Sequence, residues 1–132
     1  MQLYENATIL PVDRQHTVCR DGALAVEGDR IADLGEGHVL RERYPDAQRF
    51  DCRGGILMPG LVNTHIHLAQ CLLRGMADEL PLFPDWLQGR IWPMQASYTP
   101  EEFLVSARMG LCEMIKTGTT TFVETMLAQH YG

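Results

Sequence analysis

Ile56-Leu57-Met58-Pro59-Gly60-Leu61-Val62-Asn63-Thr64-His65-Ile66-His67 is the stretch that decides the fold. It follows the breaker Gly54-Gly55, and its run from Ile56 to Asn63 has the continuous apolar character of a strand buried on both faces. Helical patterns come next. Phe83 to Trp92 is one candidate, bounded by Pro81 and Pro84 before it and Pro93 after it. Thr99-Pro100-Glu101-Glu102 is a stronger helix start, with Thr99 as N-cap, Pro100 at the first position and Glu102 closing a capping box. Phe103, Ala107, Leu111, Met114 and Ile115 then form an apolar stripe at helical spacing, and Gly118 is the expected stop. Thr119-Thr120-Thr121-Phe122-Val123-Glu124 follows as a β-branched strand. Strand, long helical excursion and strand make a βαβ unit with parallel strands, so the fold class is α/β.

Working back from Ile56, the chain reads as short strands and turns. Leu3 to Leu10 is β-compatible and ends at Pro11. Ala23–Glu27 and Arg30–Leu34 flank Gly28-Asp29 as a hairpin, which Gly35 and Gly37 should stop. A short helix is expected from Val39 to Tyr44, ended by Pro45, and another strand at Gln48–Cys52. Two domains are expected, 1–53 as a β-rich layer and 54–132 as the α/β part. The 132 residues carry 11 Lys+Arg against 17 Asp+Glu, a net charge of -6. That balance argues against a nucleic-acid binder, which needs a basic face. No apolar run reaches the roughly 20 residues of a membrane helix, and the first residues lack the regions of a signal peptide. Cys19, Cys52, Cys71 and Cys112 are scattered without a C-x-x-C pair, as expected of thiols in a reducing cytoplasm.

The chemistry concentrates at His65-Ile66-His67. On an extended chain, residues two apart share a face, so both imidazoles project together while Ile66 turns away. Two neutral imidazoles side by side are half of a tetrahedral zinc site, or part of a larger zinc or iron site. The alternative is a pair of half-exposed histidines at a strand end.

Met58-Pro59-Gly60-Leu61-Val62-Asn63-Thr64-His65-Ile66-His67 resembles the metal-bearing first barrel strand of the amidohydrolase superfamily. Leu73-Arg74-Gly75, Trp86-Leu87, Ile91-Trp92-Pro93 and Gly118-Thr119-Thr120-Thr121 are similar to the branch of methylthioadenosine/S-adenosylhomocysteine deaminases, guanine deaminases and triazine hydrolases. The resemblance implies the N-terminal part of a metal-dependent (β/α)8 barrel, preceded by half of a small β-sandwich. It implies Zn2+, or Fe2+, on His65 and His67, with later histidines and an aspartate completing the site. Metal-activated water then displaces an amino or other leaving group from a heteroaromatic ring of purine, nucleoside, pterin or triazine type. No catalytic acid or base is assignable here.

Trp86 stands where nucleoside-deaminating relatives put an aromatic that packs on the substrate; otherwise it is a core tryptophan. Gln95 stands where many carry a glutamate for ribose hydroxyls, and lacking that charge it leaves room for a free base or triazine-like ring. Gln70, three residues past His67, could reach the mouth of the site but reads first as a solvent-facing loop residue; Glu113 reads as part of a solvated helix face. Glu124 reads as a strand-end charge, with facing the metal or supporting a ligand as the alternatives. A complete barrel takes about 250 residues, so the chain is expected to be an inactive piece of a longer enzyme, soluble in the cytoplasm and prone to homo-oligomerise. His130 lies too near its end to supply a later-strand ligand. The competing reading is a non-catalytic fragment or interaction protein.

Overall fold

The computed structural model describes residues 1–125. It divides into two compact units, one of Met1–Pro59 and one beginning at Gly60. The expected division after residue 53 falls six residues earlier than this one.

The first unit is a five-stranded mixed sheet. β1 (Gln2–Ile9) runs antiparallel to β2 (Cys19–Glu27), and β2 antiparallel to β3 (Arg30–Glu36). The hairpin turn holds Gly28 at φ +62°, a conformation that costs glycine nothing. β3 continues through Gly35 and is not stopped by it. At Gly37 a Cβ would lie 2.7 Å from the Asp21 carbonyl oxygen, so only glycine lets the chain turn there into α1 (Gly37–Arg43). β4 (Gln48–Asp51) pairs in parallel with the first half of β1, and β5 (Ile56–Leu57) with its second half. Leu40 of α1 packs on Leu3, Ala23 and Ala25 of the sheet, all buried. Tyr4 and Phe50, opposite each other on β1 and β4, stack with ring centroids 4.9 Å apart.

The expected single strand from Ile56 to Asn63 is two strands. β5 belongs to the first sheet, and β6 (Leu61–Ile66) opens the second unit. Met58-Pro59-Gly60 separates them: proline has no N–H to donate to a ladder. A Cβ on Gly60 would fall 2.1 Å from the Thr120 hydroxyl oxygen, so the chain passes the next strand at a distance only glycine allows.

In the second unit β6 is followed by a 3-10 turn, Leu68–Leu73, and a wide helical segment, Leu82–Ile91. The latter runs on into α2 (Trp92–Ala96). Pro93 does not end the helix; it sits in the first turn of α2, where a missing N–H costs little. α3 (Pro100–Lys116) carries the expected capping box: the Glu102 N–H donates to Thr99 Oγ1 at 3.3 Å, and the Thr99 N–H to Glu102 Oε2 at 2.7 Å. Gly118, at φ +85°, closes it. β7 (Thr119–Glu124) then pairs in parallel with β6.

The buried face of α3 is Phe103, Ser106, Ala107, Gly110 and Met114. Ile115, expected in this stripe, is 74% exposed. Small residues dominate because the 3-10 turn lies against the helix: a Cβ on Gly110 would meet Cys71 Sγ at 2.7 Å. The buried Ser106 hydroxyl donates to the Leu68 carbonyl at 2.8 Å and accepts from the Leu72 N–H at 3.2 Å. β6 has one ladder partner among the described residues, and Leu61 and Val62 are exposed, so the strand is not buried on both faces as its composition suggested.

Candidate metal centre

The two histidines converge at the C-terminal end of β6. Between the pairs Asn63–Phe122 and Ile66–Glu124, two residues of β6 oppose one of β7, a bulge at the site. There the His65 N–H donates to Asn63 Oδ1 at 3.2 Å. Ile66 points the other way, packing on Leu68, Ala107 and Met114. His65 Nε2 and His67 Nε2 stand 3.2 Å apart, with the rings nearly perpendicular at 87°.

That separation is a test of metal fit. Two nitrogens bound to one tetrahedral zinc at the usual distances stand about 3.3–3.4 Å apart, so this pair has the spacing of adjacent ligands. Among the described residues no third His, Cys, Asp or Glu joins them, and His130 lies outside those residues. The nearby Cys71 thiol, pushed up by burial, faces the His67 carbonyl at 3.9 Å.

The segment around His67 is tied to the end of β7. Glu124 Oε2 accepts from the Leu68 N–H at 2.8 Å. Glu124 is thus not a free charge: it holds the backbone next to His67. Thr125, which sequence reasoning missed, places Oγ1 2.9 Å from His67 Nδ1 and donates to the Ile66 carbonyl at 3.3 Å. Only its position after a strand paired with β6 could have drawn attention to it.

A cleft of about 650 Å3 opens on the two imidazoles, walled by Leu82, Phe83, Trp86, Leu87 and Trp92. Trp86 therefore borders the site that the histidines form. Gln95 also lines this cleft and is 9% exposed; its Oε1 accepts from Gln70 Nε2 at 2.8 Å. Gln70 is thus paired and half-buried, not solvent-facing as expected. A second cleft, of about 730 Å3, also borders His65, His67 and Trp86. Its charged residues include Arg74 and Glu113, which bind each other through two hydrogen bonds of 2.8 Å. The Arg74 guanidinium holds the Glu113 carboxyl below the usual carboxylate range, so Glu113 is half of an ion pair on its helix face. The aromatic cleft suits a flat, uncharged ring; in the ionic one Arg74 and Glu113 neutralise each other, and Asp78 adds a further acidic group.

Residues 56–132 match the amidohydrolase family, and residues 22–47 the imidazolonepropionase-like composite domain of bacteria. A 5-methylthioadenosine/S-adenosylhomocysteine deaminase of Bacillus cereus (strain AH820) is 43% identical over 119 residues, which is 90% of this chain and 27% of that protein. The chain thus spans about a quarter of the length of the curated relatives it matches. Among solved structures, an adenosine deaminase of Xanthomonas campestris with bound zinc is similar over 98% of this chain and 30% of its own, with TM-score 0.86 and 34% identity. A mutant atrazine chlorohydrolase of Arthrobacter aurescens TC1 complexed with zinc and atraton matches over 96% and 29%, with TM-score 0.79 and 28% identity.

Proposed function

Because the chain belongs to the amidohydrolase family, we propose that it forms part of the active site of a metal-dependent hydrolase of carbon–nitrogen bonds, one that removes an amino group from a heteroaromatic ring. The observation that carries this reading is the 3.2 Å approach of the two Nε2 atoms at the mouth of an aromatic cleft. His65 and His67 hold the ion, zinc by preference and ferrous iron as the alternative. Further donors would come from water or from residues outside those described. A cation at this place polarises water, lowering its pKa towards neutrality.

The chain's own residues orient the substrate. Trp86 and its aromatic neighbours offer flat apolar surface, against which a ring stacks and excludes water. The Gln70–Gln95 pair offers neutral amide groups, suited to ring nitrogens, exocyclic groups or a hydroxyl. A purine, its nucleoside, a pterin or a triazine meets these requirements. The relatives support the choice: a methylthioadenosine/S-adenosylhomocysteine deaminase, an adenosine deaminase, and an enzyme complexed with the triazine atraton. The acidic net charge and four free cysteines favour a cytoplasmic setting.

The test uses the polypeptide that carries this segment together with the further strands its relatives possess. His65→Ala and His67→Ala are expected to lose metal, by elemental analysis, and to lower ammonia release from a purine, nucleoside, pterin and triazine panel by several orders of magnitude. Trp86→Ala is expected to keep its metal and raise KM. Full metal and near-normal turnover in the histidine variants overturn the assignment and leave two strand-end histidines.

A further inference from the structure

We propose that Thr125 is a positioning residue that sets the tautomer of His67, holding its ring proton on Nδ1 and leaving the Nε2 lone pair bare. The inference rests on the reading of His65 and His67 as metal ligands for its purpose, though not for its geometry. Thr125 Oγ1 lies 3.3 Å from the Ile66 carbonyl oxygen and 2.9 Å from His67 Nδ1. The structure places the Thr125 hydroxyl as donor to the Ile66 carbonyl, which can only accept, and this directs its single proton to Ile66. What the hydroxyl then turns towards His67 is a lone pair, and Nδ1 must donate to it. A neutral imidazole with its proton on Nδ1 has none on Nε2.

The other contacts of His67 agree with this direction. Its Nε2 faces His65 Nε2 at 3.2 Å. Two bare lone pairs at that distance repel unless a cation lies between them, so in the metal-free protein His65 donates its Nε2 proton to His67. The pair is therefore asymmetric, with His67 preset for ligation by β7 and His65 not. The relay is also held in place by backbone. The Thr125 N–H donates to the Ile66 carbonyl at 3.4 Å, and Glu124 takes the Leu68 N–H, so the residues on both sides of His67 are fastened to the end of β7. A metal-binding histidine whose second nitrogen is held in this way presents its first in one orientation only.

Long-range 1H–15N correlation spectra of the metal-free protein, at a pH where both imidazoles are neutral, show which ring nitrogen carries the proton. The expected wild-type result is Nδ1–H at His67. Thr125→Val keeps the branched shape but removes the hydroxyl, and should turn His67 largely to Nε2–H. Thr125→Ser should restore Nδ1–H. Zinc affinity, measured by chelator competition, should fall about 10–100-fold in Thr125→Val and return to the wild-type range in Thr125→Ser. A wild-type His67 found mainly as Nε2–H overturns the proposal without any variant having to fold. An unchanged tautomer in Thr125→Val overturns it as well. If the tautomer follows Thr125 while neither histidine takes up zinc, the role of Thr125 stands and the metal-site reading is what fails.

Discussion

Each histidine reached its place through a different neighbour. The paired projection of His65 and His67 was legible from strand periodicity, because it depends only on residues two apart. Their supports were not legible, since Glu124 and Thr125 approach them from a strand almost sixty residues away. Glu124 exemplifies the difficulty: a carboxylate at a strand end usually faces water, and nothing local shows that Leu68 will offer it an N–H. Removing that acceptor should be measurable. Glu124→Leu leaves the Leu68 N–H without its carboxylate partner, and such a loss costs about 1–3 kcal/mol. Glu124→Gln keeps an oxygen at the same reach and should lose less. Urea denaturation of the two variants tests this; equal losses would show that the charge, not the hydrogen bond, matters.

At the scale of elements, the strength of each local signal decided what was legible. α3 announced itself because capping box, apolar stripe and terminal glycine agreed. The Ile56–Asn63 strand did not, because apolar composition is blind to the sheet a residue joins, and Pro59-Gly60 divided a run that looked continuous. The stripe of α3 was misjudged at Ile115 for a related reason. Hydrophobicity marked Ile115, whereas close approach selected Ser106 and Gly110. Gly110→Ala follows as a discriminating substitution. In an open helix it gains about 0.5–1 kcal/mol, but here the added methyl meets Cys71 Sγ at 2.7 Å and Leu68 Cδ2 at 2.9 Å. Overpacking of this kind costs about 1–3 kcal/mol, so the variant should melt lower than the parent. Adding Cys71→Ala should recover part of the loss. A Gly110→Ala protein that melts higher would mean that the 3-10 turn yields easily.

At the scale of the whole molecule, two properties follow from surfaces. Asp33 is held below the usual carboxylate range chiefly by its hydrogen bond to Arg43, Asp51 by the Arg53 backbone N–H and then Asn6, and Glu113 by Arg74. Groups with lowered values in the folded state stabilise it above the ordinary carboxylate range, and this is lost as pH falls through the lowered values. The urea midpoint should therefore drop on acidification from neutrality into that window, and Arg74→Gln should flatten the part due to Glu113. The second property is exposure: Leu61, Val62, Phe122 and Val123 of the β6–β7 pair are 39–62% exposed. Unpaired apolar strands recruit partners. The 132-residue chain should show concentration-dependent association in sedimentation, weakened by Val62→Lys. A monodisperse monomer at high concentration would contradict this.

The parallel pairing of β1 has a temporal consequence. Gln2 pairs with Gln48, and Ile9 with Leu57. On a ribosome adding about 5–20 residues per second, β1 waits seconds for these partners, while β2 and β3 follow it promptly. The strands of the antiparallel meander β1, β2 and β3 are thus the first of the sheet to be synthesised, and one flank of β1 has no partner until β4 and β5 emerge. During that interval β1 carries an open edge of the kind that pairs with other strands.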